Sequence, residues 1–410
     1  MKLFLMLTAS LFVVFNLSAQ TFTSYTTDDG LLDNFVECVD IDVDDNVWFG
    51  TSIGLQKFDG ENWTTYSTAT YPDMVSNNIK VVRAMANGDI WIGSDYGVSK
   101  FDGVNWITFD NTNGLNNNQV KGIDEDSDGV VYVGTISGVS YFDGDIWESL
   151  ESSDLHWSGV NTTVSESSGN KWFAAPLGGV TYFDGTSFEV FNTENGLLSD
   201  NITDVIIDDY GNKWIGTGAG ISVLDASNTS VINHTIMYQM PPPDTLNPIV
   251  DLAMDAFGRI WAGIYVGYLS EGGVAMWDGL QWIDYDVSDG VVGPNIKGIE
   301  VNSQDHVWVA TSTGVTKIHE IPESVEVLEN NEIKLYPNPC VGSVNLDMGV
   351  ADLKFLIRTF NNQGKLIQEN SFENQQYVDF DIQGGAGNYF IEISSSKLSS
   401  PAVVIPLIKL

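Results

Sequence analysis

The sequence predicts an all-β chain: a seven-bladed β-propeller closed by an N-terminal strand, followed by a small C-terminal β-sandwich. The first observation behind this prediction is a phrase that recurs along the chain and begins at an aromatic anchor residue. Its seven copies begin at Trp48, Trp91, Tyr132, Trp172, Trp214, Trp261 and Trp308. The anchors are 40 to 47 residues apart, a period typical of stacked or circular repeat folds.

Two flanking positions repeat together with the anchor. Two residues after it there is always a small residue: Gly50, Gly93, Gly134, Ala174, Gly216, Gly263 and Ala310. Twelve residues before it there is always a β-branched residue: Val36, Ile79, Val120, Val160, Ile202, Ile249 and Ile296. Because a small side chain lets a neighbouring sheet approach closely, the first of these positions predicts close contact between successive blades.

The third copy illustrates how one repeat forms one four-stranded sheet. Its strands are expected at residues 120–123, 130–135 and 139–143 and around Trp147. Turns rich in Asp and Gly separate these strands, which is the composition that tight turns between antiparallel strands require. Four short strands at this period describe one blade of a propeller.

The two ends of the repeat region complete each other. The seventh copy ends near Ile318 without a final aromatic strand, and a matching strand containing Phe22 precedes the first copy. Phe22 lies 26 residues before Trp48, as Trp282 lies 26 residues before Trp308. We therefore expect the N-terminal strand to supply the fourth strand of the last blade, which closes the ring and removes its exposed edges.

The chain divides into four segments. Residues 1–19 have one lysine and an apolar run, which predicts a signal peptide cleaved after Ala19. The propeller is expected over 20–319, a linker over 320–331 and the C-terminal domain over 332–410. Strands of that last domain are expected at 343–346, 353–359, 377–382 and 389–393.

Composition excludes several classes of function. The chain has 55 acidic residues against 17 Lys and Arg, a formal charge of −38, so it would repel nucleic acid and anionic membranes. After the signal peptide no apolar stretch reaches the roughly 18 residues of a spanning helix, so no transmembrane anchor is expected. Two cysteines cannot form a disulfide framework. We expect a monomer.

The repeat resembles the two-component regulator propeller family. In one copy the resemblance rests on Gly114, Leu115, Asn118, Asp126, Gly129, Gly134, Thr135, Gly138, Phe142, Asp143 and Gly144. In another it rests on Gly196, Leu197, Asn201, Gly220 and residues 214–217. In that family such propellers often form the periplasmic sensor of hybrid kinases and are tied to glycan sensing. This chain has no kinase or receiver region, so the signalling role is not implied.

The C-terminal segment resembles the type IX secretion sorting domain, in the subtype that opens with Tyr-Pro-Asn-Pro. The matching phrases are residues 336–339, 362–365 and 387–390 and the terminal strand 403–410. The resemblance implies export by a Gram-negative bacterium, through the periplasm, to the outer-membrane surface or the extracellular space. It also implies that the type IX secretion machinery is a partner, and that the domain is an address.

No motif for catalysis stands out. Asp124, Asp126 and Asp128 resemble the start of a calcium loop, but the twelfth position is Thr135 rather than a bidentate glutamate, so we favour a hairpin turn and expect no cofactor. The four histidines show no short-spaced pair typical of zinc sites. No nucleophile elbow or phosphate loop is present.

Lengthened repeats point to one face of the ring, because insertions in repeat folds often map to the binding face. Blade six has six extra residues around Tyr265 and Tyr268, and the connection before it contains Tyr238 and three prolines. Blade four departs on the same face at His156 and Trp157. Exposed aromatic residues there suit a surface that stacks sugars or binds a protein. The alternative is drift of loops whose aromatic residues pack into the rim.

The function that these patterns favour is a secreted or cell-surface, non-catalytic propeller that binds a glycan or protein ligand. One alternative is an extracellular lyase or another polysaccharide-acting enzyme, which would need a His, Arg or Lys beside a carboxylate at the mouth of the ring. A second alternative is a sensor partner of a separate two-component system.

Overall fold

The computed structural model describes residues 20–150, 155, 157, 159–241 and 245–320 of the propeller region. In the C-terminal region it describes residues 334–336, 343–347, 354–361, 365–373, 377–385, 387–395 and 403–409. The predicted signal peptide and nearly all of the predicted linker lie outside these residues. The chain separates into two compact units between Ile321 and Pro322.

The first unit begins with strand β1 (Gln20–Tyr25), a short 3-10 helix (Thr27–Asp29) and the first two blades. Blade one contains β2 (Val36–Ile41), β3 (Val47–Thr51), β4 (Leu55–Phe58) and β5 (Trp63–Tyr66). Blade two contains β6 (Val81–Ala84), β7 (Ile90–Ser94), β8 (Gly97–Phe101) and β9 (Trp106–Phe109). In each sheet the four strands are antiparallel and neighbours in sequence are neighbours in space.

The middle blades repeat this order. Blade three contains β10 (Val120–Glu125), β11 (Val131–Thr135), β12 (Gly138–Phe142) and β13 (Trp147–Leu150). Blade four contains β14 (Thr162–Ser165), β15 (Lys171–Ala175), β16 (Gly179–Phe183) and β17 (Phe188–Phe191), followed by a 3-10 helix (Thr193–Asn195). Blade five contains β18 (Ile202–Ile207), β19 (Lys213–Thr217), β20 (Gly220–Leu224) and β21 (Val231–His234).

The last two blades close the ring. Blade six contains β22 (Ile249–Met254), β23 (Ile260–Val266), β24 (Glu271–Trp277) and β25 (Trp282–Tyr285). Blade seven contains β26 (Ile296–Val301), β27 (Val307–Thr311), β28 (Gly314–Glu320) and β1. Strand β1 pairs with β28 from Gln20–Glu320 to Tyr25–Val315, and β2 of blade one contacts β26 and β27. The predicted seven-bladed propeller, with its N-terminal strand in the last blade, is confirmed.

The small residue and the β-branched residue of the repeat meet between neighbouring blades. A β-carbon added to Gly93 would lie 2.5 Å from Cγ1 of Val120, the first residue of the next blade. Gly50 is related in the same way to Ile79, and Gly263 to Ile296, at 2.8 and 2.7 Å from Cγ2. Each β-branched side chain thus fills the space that the glycine leaves open, as the sequence predicts.

A carboxylate six residues before the anchor holds the first turn of most blades. The indole Nε1 of Trp48 donates to Asp42 Oδ2 at 2.8 Å, while Asp42 Oδ1 accepts the turn amides of Asp44 and Asn46, each at 3.0 Å. The same indole bond joins Trp172 to Glu166, Trp214 to Asp208 and Trp261 to Asp255. These turns are therefore built by the acidic residues that dominate the composition.

The second unit consists of two small sheets. One is ordered β29 (Lys334–Tyr336), β30 (Ser343–Asp347) and β33 (Tyr377–Asp381). The other is ordered β32 (Leu366–Glu373), β31 (Lys354–Asn361), β34 (Gly387–Ser395) and β35 (Val403–Lys409). Leu346 and Phe380 from the first sheet share one hydrophobic cluster with Ile357, Ile391 and Leu407 from the second. The two sheets thus enclose a common core.

Gly93→Ala should destabilise the propeller by about 1–3 kcal/mol, because the new methyl overpacks the contact with Val120. Gly267→Ala is the matched control, since its β-carbon would meet only the Tyr265 ring at 3.7 Å. All 12 tryptophans of the chain lie between residues 48 and 308, so tryptophan fluorescence during urea denaturation reports on the propeller alone. Equal stability of the two variants would contradict the proposed role of this glycine.

Two single substitutions at equivalent turn positions should change the stability of the propeller in opposite directions. Asp208→Asn replaces the oxygen that accepts the Trp214 indole, and should cost about 1–3 kcal/mol. In blade seven Asn302 takes the equivalent place, and Nε1 of Trp308 is buried without a partner among the described residues. Asn302→Asp would supply that acceptor and should raise the urea midpoint. A fall in both midpoints would contradict the role assigned to this carboxylate.

Candidate functional site

A cavity of about 600 Å³ follows the axis of the ring and is lined by the innermost strands of all seven blades. These strands are β2, β6, β10, β14, β18, β22 and β26. We call the face where they begin the upper face. Because strands in a blade alternate in direction, the upper face also carries the connections between blades and the turns between second and third strands. The opposite lower face carries the other two turns of each blade.

Strand register sorts the inner side chains into layers. Opposite the aromatic anchors lies a lower layer: Asp40, Arg83, Asp124, Val164, Ile206, Ala253 and Glu300. Opposite the small residues lies an upper layer: Cys38, Val81, Gly122, Thr162, Asp204, Asp251 and Gly298. One residue earlier lies the mouth of the cavity: Glu37, Lys80, Lys121, Asn161, Thr203, Val250 and Lys297. In five blades the register shifts at this mouth residue.

Three carboxyl groups of the cavity join neighbouring blades. Asp40 Oδ2 accepts the backbone N–H of Ala84 in blade two at 2.6 Å. Between blades five and six, Asp204 Oδ2 accepts the N–H of Leu252 at 3.0 Å, and between blades six and seven, Asp251 Oδ2 accepts that of Ile299 at 2.7 Å. Each acid satisfies a backbone donor that would otherwise be buried without a partner. These side chains therefore have a structural role.

Arg83 lies among the acids of the lower layer. Its Nη1 is 3.9 Å from Asp40 Oδ1 and its Nη2 is 3.7 Å from Asp124 Oδ1. The negative charges of Asp40 and Asp124 raise the pKa of Arg83, so it stays charged. Asp124 is 7% exposed, and its Oδ2 has no hydrogen-bond partner among the described residues.

Burial raises the pKa of the acids in this cavity. The pKa of Glu300 rises to about 8 through burial and the negative charge of Asp40, with Arg83 opposing. Burial and the neighbouring Asp204 carboxyl raise the pKa of Asp251. Part of this cluster is thus protonated near neutral pH.

The extra residues of blade six form a longer hairpin rather than an irregular loop. Strands β23 and β24 have seven residues each, and pairing continues to Tyr265–Gly272 and Val266–Glu271 on the upper face. At the tip Tyr268 is 70% exposed. Tyr265 is only partly exposed.

The prediction that Tyr238 is exposed is wrong. Its side chain is 5% exposed and packs under the blade-six hairpin, where a β-carbon on Gly273 would lie 2.5 Å from its ring. Asn247 Oδ1 accepts the backbone N–H groups of Met237 and Tyr238 at 2.8 and 2.7 Å. Met237, Tyr238 and Met240 of the connection into blade six are thus packed into the rim, as the alternative interpretation expects, whereas Ile236 is exposed.

The structure describes only one of the two candidate binding residues of blade four. His156 lies outside the described residues. Trp157 is 41% exposed on the upper face, next to Leu155, which is buried in the core of blades three and four. Blade five separates Trp157 from Tyr268.

The acidic residues of the possible calcium loop occupy different environments. Asp124 lies in the cavity near Arg83. Asp126 holds its turn, because its Oδ1 accepts the N–H groups of Asp128 and Val130 at 2.9 and 3.0 Å and its Oδ2 lies 3.1 Å from Lys171 Nζ. Within the described parts of the chain, no group of three or more His, Cys, Asp or Glu side chains could hold a metal ion. Calcium binding at these residues stays a hypothesis, which calorimetric titration with calcium would test.

The basic residues that an enzyme would need are dispersed. The ring of His234 accepts a hydrogen bond from Trp282 Nε1 at 3.2 Å, whereas Arg259 pairs with Asp255 at 2.5 Å on the lower face. Sequence spacing missed one histidine pair: the rings of His306 and His319 lie 5.4 Å apart in blade seven. Strand pairing between Val301 and Val307, and between Val307 and Ile318, brings these two residues to the same edge.

Family models match two parts of the chain. Residues 114–137 match the two component regulator propeller, and residues 334–405 match the secretion system C-terminal sorting domain. The first match covers part of blade three with the connection before it, and the second covers most of the C-terminal unit. The match to the sorting domain implies export to the cell surface or the extracellular space. No helix among the described residues is long and apolar enough to cross a membrane. No curated protein matches the sequence significantly.

Solved structures share the fold at low sequence identity. The extracellular domain of the hybrid two component system BT3049 from B. thetaiotaomicron has a TM-score of 0.62 and 16% identity, covering 95% of this chain and 57% of that one. PorZ, a surface component of the type IX secretion system of Porphyromonas gingivalis, has a TM-score of 0.59 and 15% identity, covering 92% and 60%. The chain thus spans less than two thirds of these relatives. A streptogramin B lyase has a TM-score of 0.58 and 13% identity, covering 73% and 97%.

Removing the charge of Glu300 should flatten the pH dependence of stability. Its pKa is about 8 in the folded protein against about 4.5 in the unfolded chain, so between these values the folded state holds a proton that the unfolded state lacks. Stability from this group is present at low pH and is lost as the pH rises towards 8. Glu300→Gln should lessen the fall in unfolding free energy between pH 5 and 8, measured by urea denaturation.

Asp184→Asn is the control for this measurement. Hydrogen bonds from Ser187 and Thr186 lower the pKa of the exposed Asp184, so its contribution changes only below about pH 4. Asp40, Arg83, Asp204 and Asp251 are the charged groups that face Glu300. A Glu300→Gln variant with the wild-type slope would show that Glu300 ionises normally.

Proposed function

We propose that the propeller is a non-catalytic binding domain that takes a glycan or protein ligand on its upper face at the cell surface. The observation that carries the proposal is the departure of blade six on that face. Its hairpin is longer than those of the other blades and ends in the exposed Tyr268. The mouth of the axial cavity opens among the same connections.

Exposed apolar residues alone do not distinguish the two faces. Val43, Tyr210 and Phe257 are exposed in lower-face turns, just as Tyr96, Trp157 and Tyr268 are on the upper face. The lower-face turns between first and second strands, however, resemble one another, and in blades one, three, five and six each is held by an aspartate of its own. The upper face is where the blades differ in length, which favours it as the site of recognition.

The enzyme alternative rests on the lyase that shares the fold. Against it, the two arginines of the propeller are both paired, Arg83 with Asp40 and Asp124 and Arg259 with Asp255. Neither guanidinium is therefore free to stabilise an anionic intermediate. Assays for elimination on polysaccharides would test this alternative directly.

A partnership with a separate membrane sensor is the other alternative. It is favoured by the likeness to extracellular domains of two component systems. Its test is co-purification of a membrane sensor with the chain, and a ligand that binds the chain without any partner would favour the first proposal instead.

The proposal predicts that Tyr265→Ala with Tyr268→Ala weakens ligand binding by about tenfold or more, because exposed aromatic rings supply a large share of contact energy. The measurement is a glycan array probed with the full-length protein, followed by titration of each hit. Tyr210→Ala is the matched control, since Tyr210 is an exposed tyrosine of the lower face. Loss of binding in the control, or unchanged affinity in the double variant, would remove the blade-six hairpin from the site.

A further inference from the structure

The structure assigns an anionic ligand group to the mouth of the cavity: we propose that Lys121 and Lys297 bind the carboxylate or sulfate groups of an acidic polysaccharide. This inference rests on the proposed function, because it names the ligand class of the upper face. It starts from the distribution of positive charge in a chain of formal charge −38.

Nearly every basic side chain of the propeller has a partner. Ten Lys and Arg residues lie between residues 20 and 320. Four of them pair with a carboxylate: Lys100 with Asp89, Lys171 with Asp126, Lys213 with Glu166 and Arg259 with Asp255. Two others, distant from the mouth, lie over a tryptophan ring, which leaves their charge in place: Lys57 on Trp48 and Lys317 on Trp308. Arg83 lies between two acids in the cavity. The remaining three all line the mouth.

The mouth carries positive charge that the described residues do not neutralise. Lys80 pairs with Glu37 at 2.7 Å. Lys121 and Lys297 have no carboxylate within ion-pair distance in the described ranges, and Lys297 Nζ lies 5.0 Å from the Phe35 ring. Three lysines less one glutamate leave a formal charge of +2. Such a patch attracts an anion in a protein whose remaining surface repels it.

The layers below the mouth limit how far an anion can enter. The upper layer presents Asp204 and Asp251, and the lower layer presents Asp40, Asp124 and Glu300 around the single Arg83. Their raised pKa values keep part of this cluster neutral. Ionised members still repel a ligand carboxylate. The anionic group therefore binds at the level of the lysines, not within the ring.

The neutral half of the mouth and its surroundings favour a polysaccharide over an acidic peptide. Asn161 and Thr203, which line the mouth in blades four and five, carry no charge. An uncharged side of the mouth suits the hydroxyl groups of a sugar better than a peptide that is charged at every residue. Around the mouth the upper face exposes Tyr96, Trp157 and Tyr268, flat rings on which pyranose faces stack. A chain of acidic sugars can reach both features at once.

The test is calorimetric titration of the full-length protein with oligogalacturonate, alginate and chondroitin sulfate oligomers, with neutral maltoheptaose and with polyglutamate. The site variant is Lys121→Gln with Lys297→Gln. The control is Lys57→Gln with Lys317→Gln, which changes the net charge equally but on the lower face. Tryptophan fluorescence confirms that both variants fold.

We expect at least one acidic oligomer to bind. Its affinity should fall as the salt concentration is raised from about 20 to about 200 mM, because salt screens the attraction between the lysines and the ligand. The site variant should lose about tenfold or more, and the control should stay within about twofold. Binding of maltoheptaose with equal affinity, equal losses in both lysine variants, or no binding of any acidic oligomer would overturn the inference. So would lysine-dependent binding of polyglutamate in place of the acidic sugars.

The tyrosine variant separates this inference from the proposal on which it rests. A ligand that is lost in Tyr265→Ala with Tyr268→Ala, yet kept by the lysine variant, would overturn the anionic class and leave the upper-face proposal intact. A ligand whose binding neither variant affects would overturn both.

Discussion

The contact between a small residue of one blade and the first β-branched residue of the next is the constraint on which the ring depends. At Gly93 and Val120 there is no room for even one added methyl group at its unstrained position. Because the contact recurs between blades, it fixes how closely each sheet approaches its neighbour. That spacing in turn sets the width of the axial cavity, and so the distance across which side chains of opposite blades can act together.

The acidic composition has a structural explanation that net charge alone does not suggest. Carboxylates such as Asp42 and Asp208 accept two backbone amides and an indole each, and Asp40, Asp204 and Asp251 join one inner strand to the next. Positive charge is scarce by comparison, so its concentration at the mouth is informative.

The fold could be predicted because every repeat shows the same pattern of strands and turns. The candidate site could not, because it is formed by residues from several different repeats. The prediction for Tyr238 was wrong because three prolines nearby in sequence do not show where its ring lies, and that ring packs under the neighbouring hairpin at Gly273. The sequence does contain a signal for the mouth of the cavity, because its seven residues, from Glu37 to Lys297, all lie eleven positions before an anchor. The register shift beside Lys121 and Lys297 could not be predicted, because a β-bulge does not change the spacing of the repeated residues.

Pairing of β1 with β28 also governs the order in which the chain can fold. Phe22 and Ile318 are partners although nearly the whole propeller separates them in sequence. Forming that pair closes a very long loop, so it is slow compared with the hairpins within each blade. Blades one to six can form as soon as their own strands are available. The first strand of the propeller, β1, can pair only when β28 is available. Completion of blade seven is therefore the kinetic end point of folding, and the step at which a nearly finished propeller still exposes an open edge.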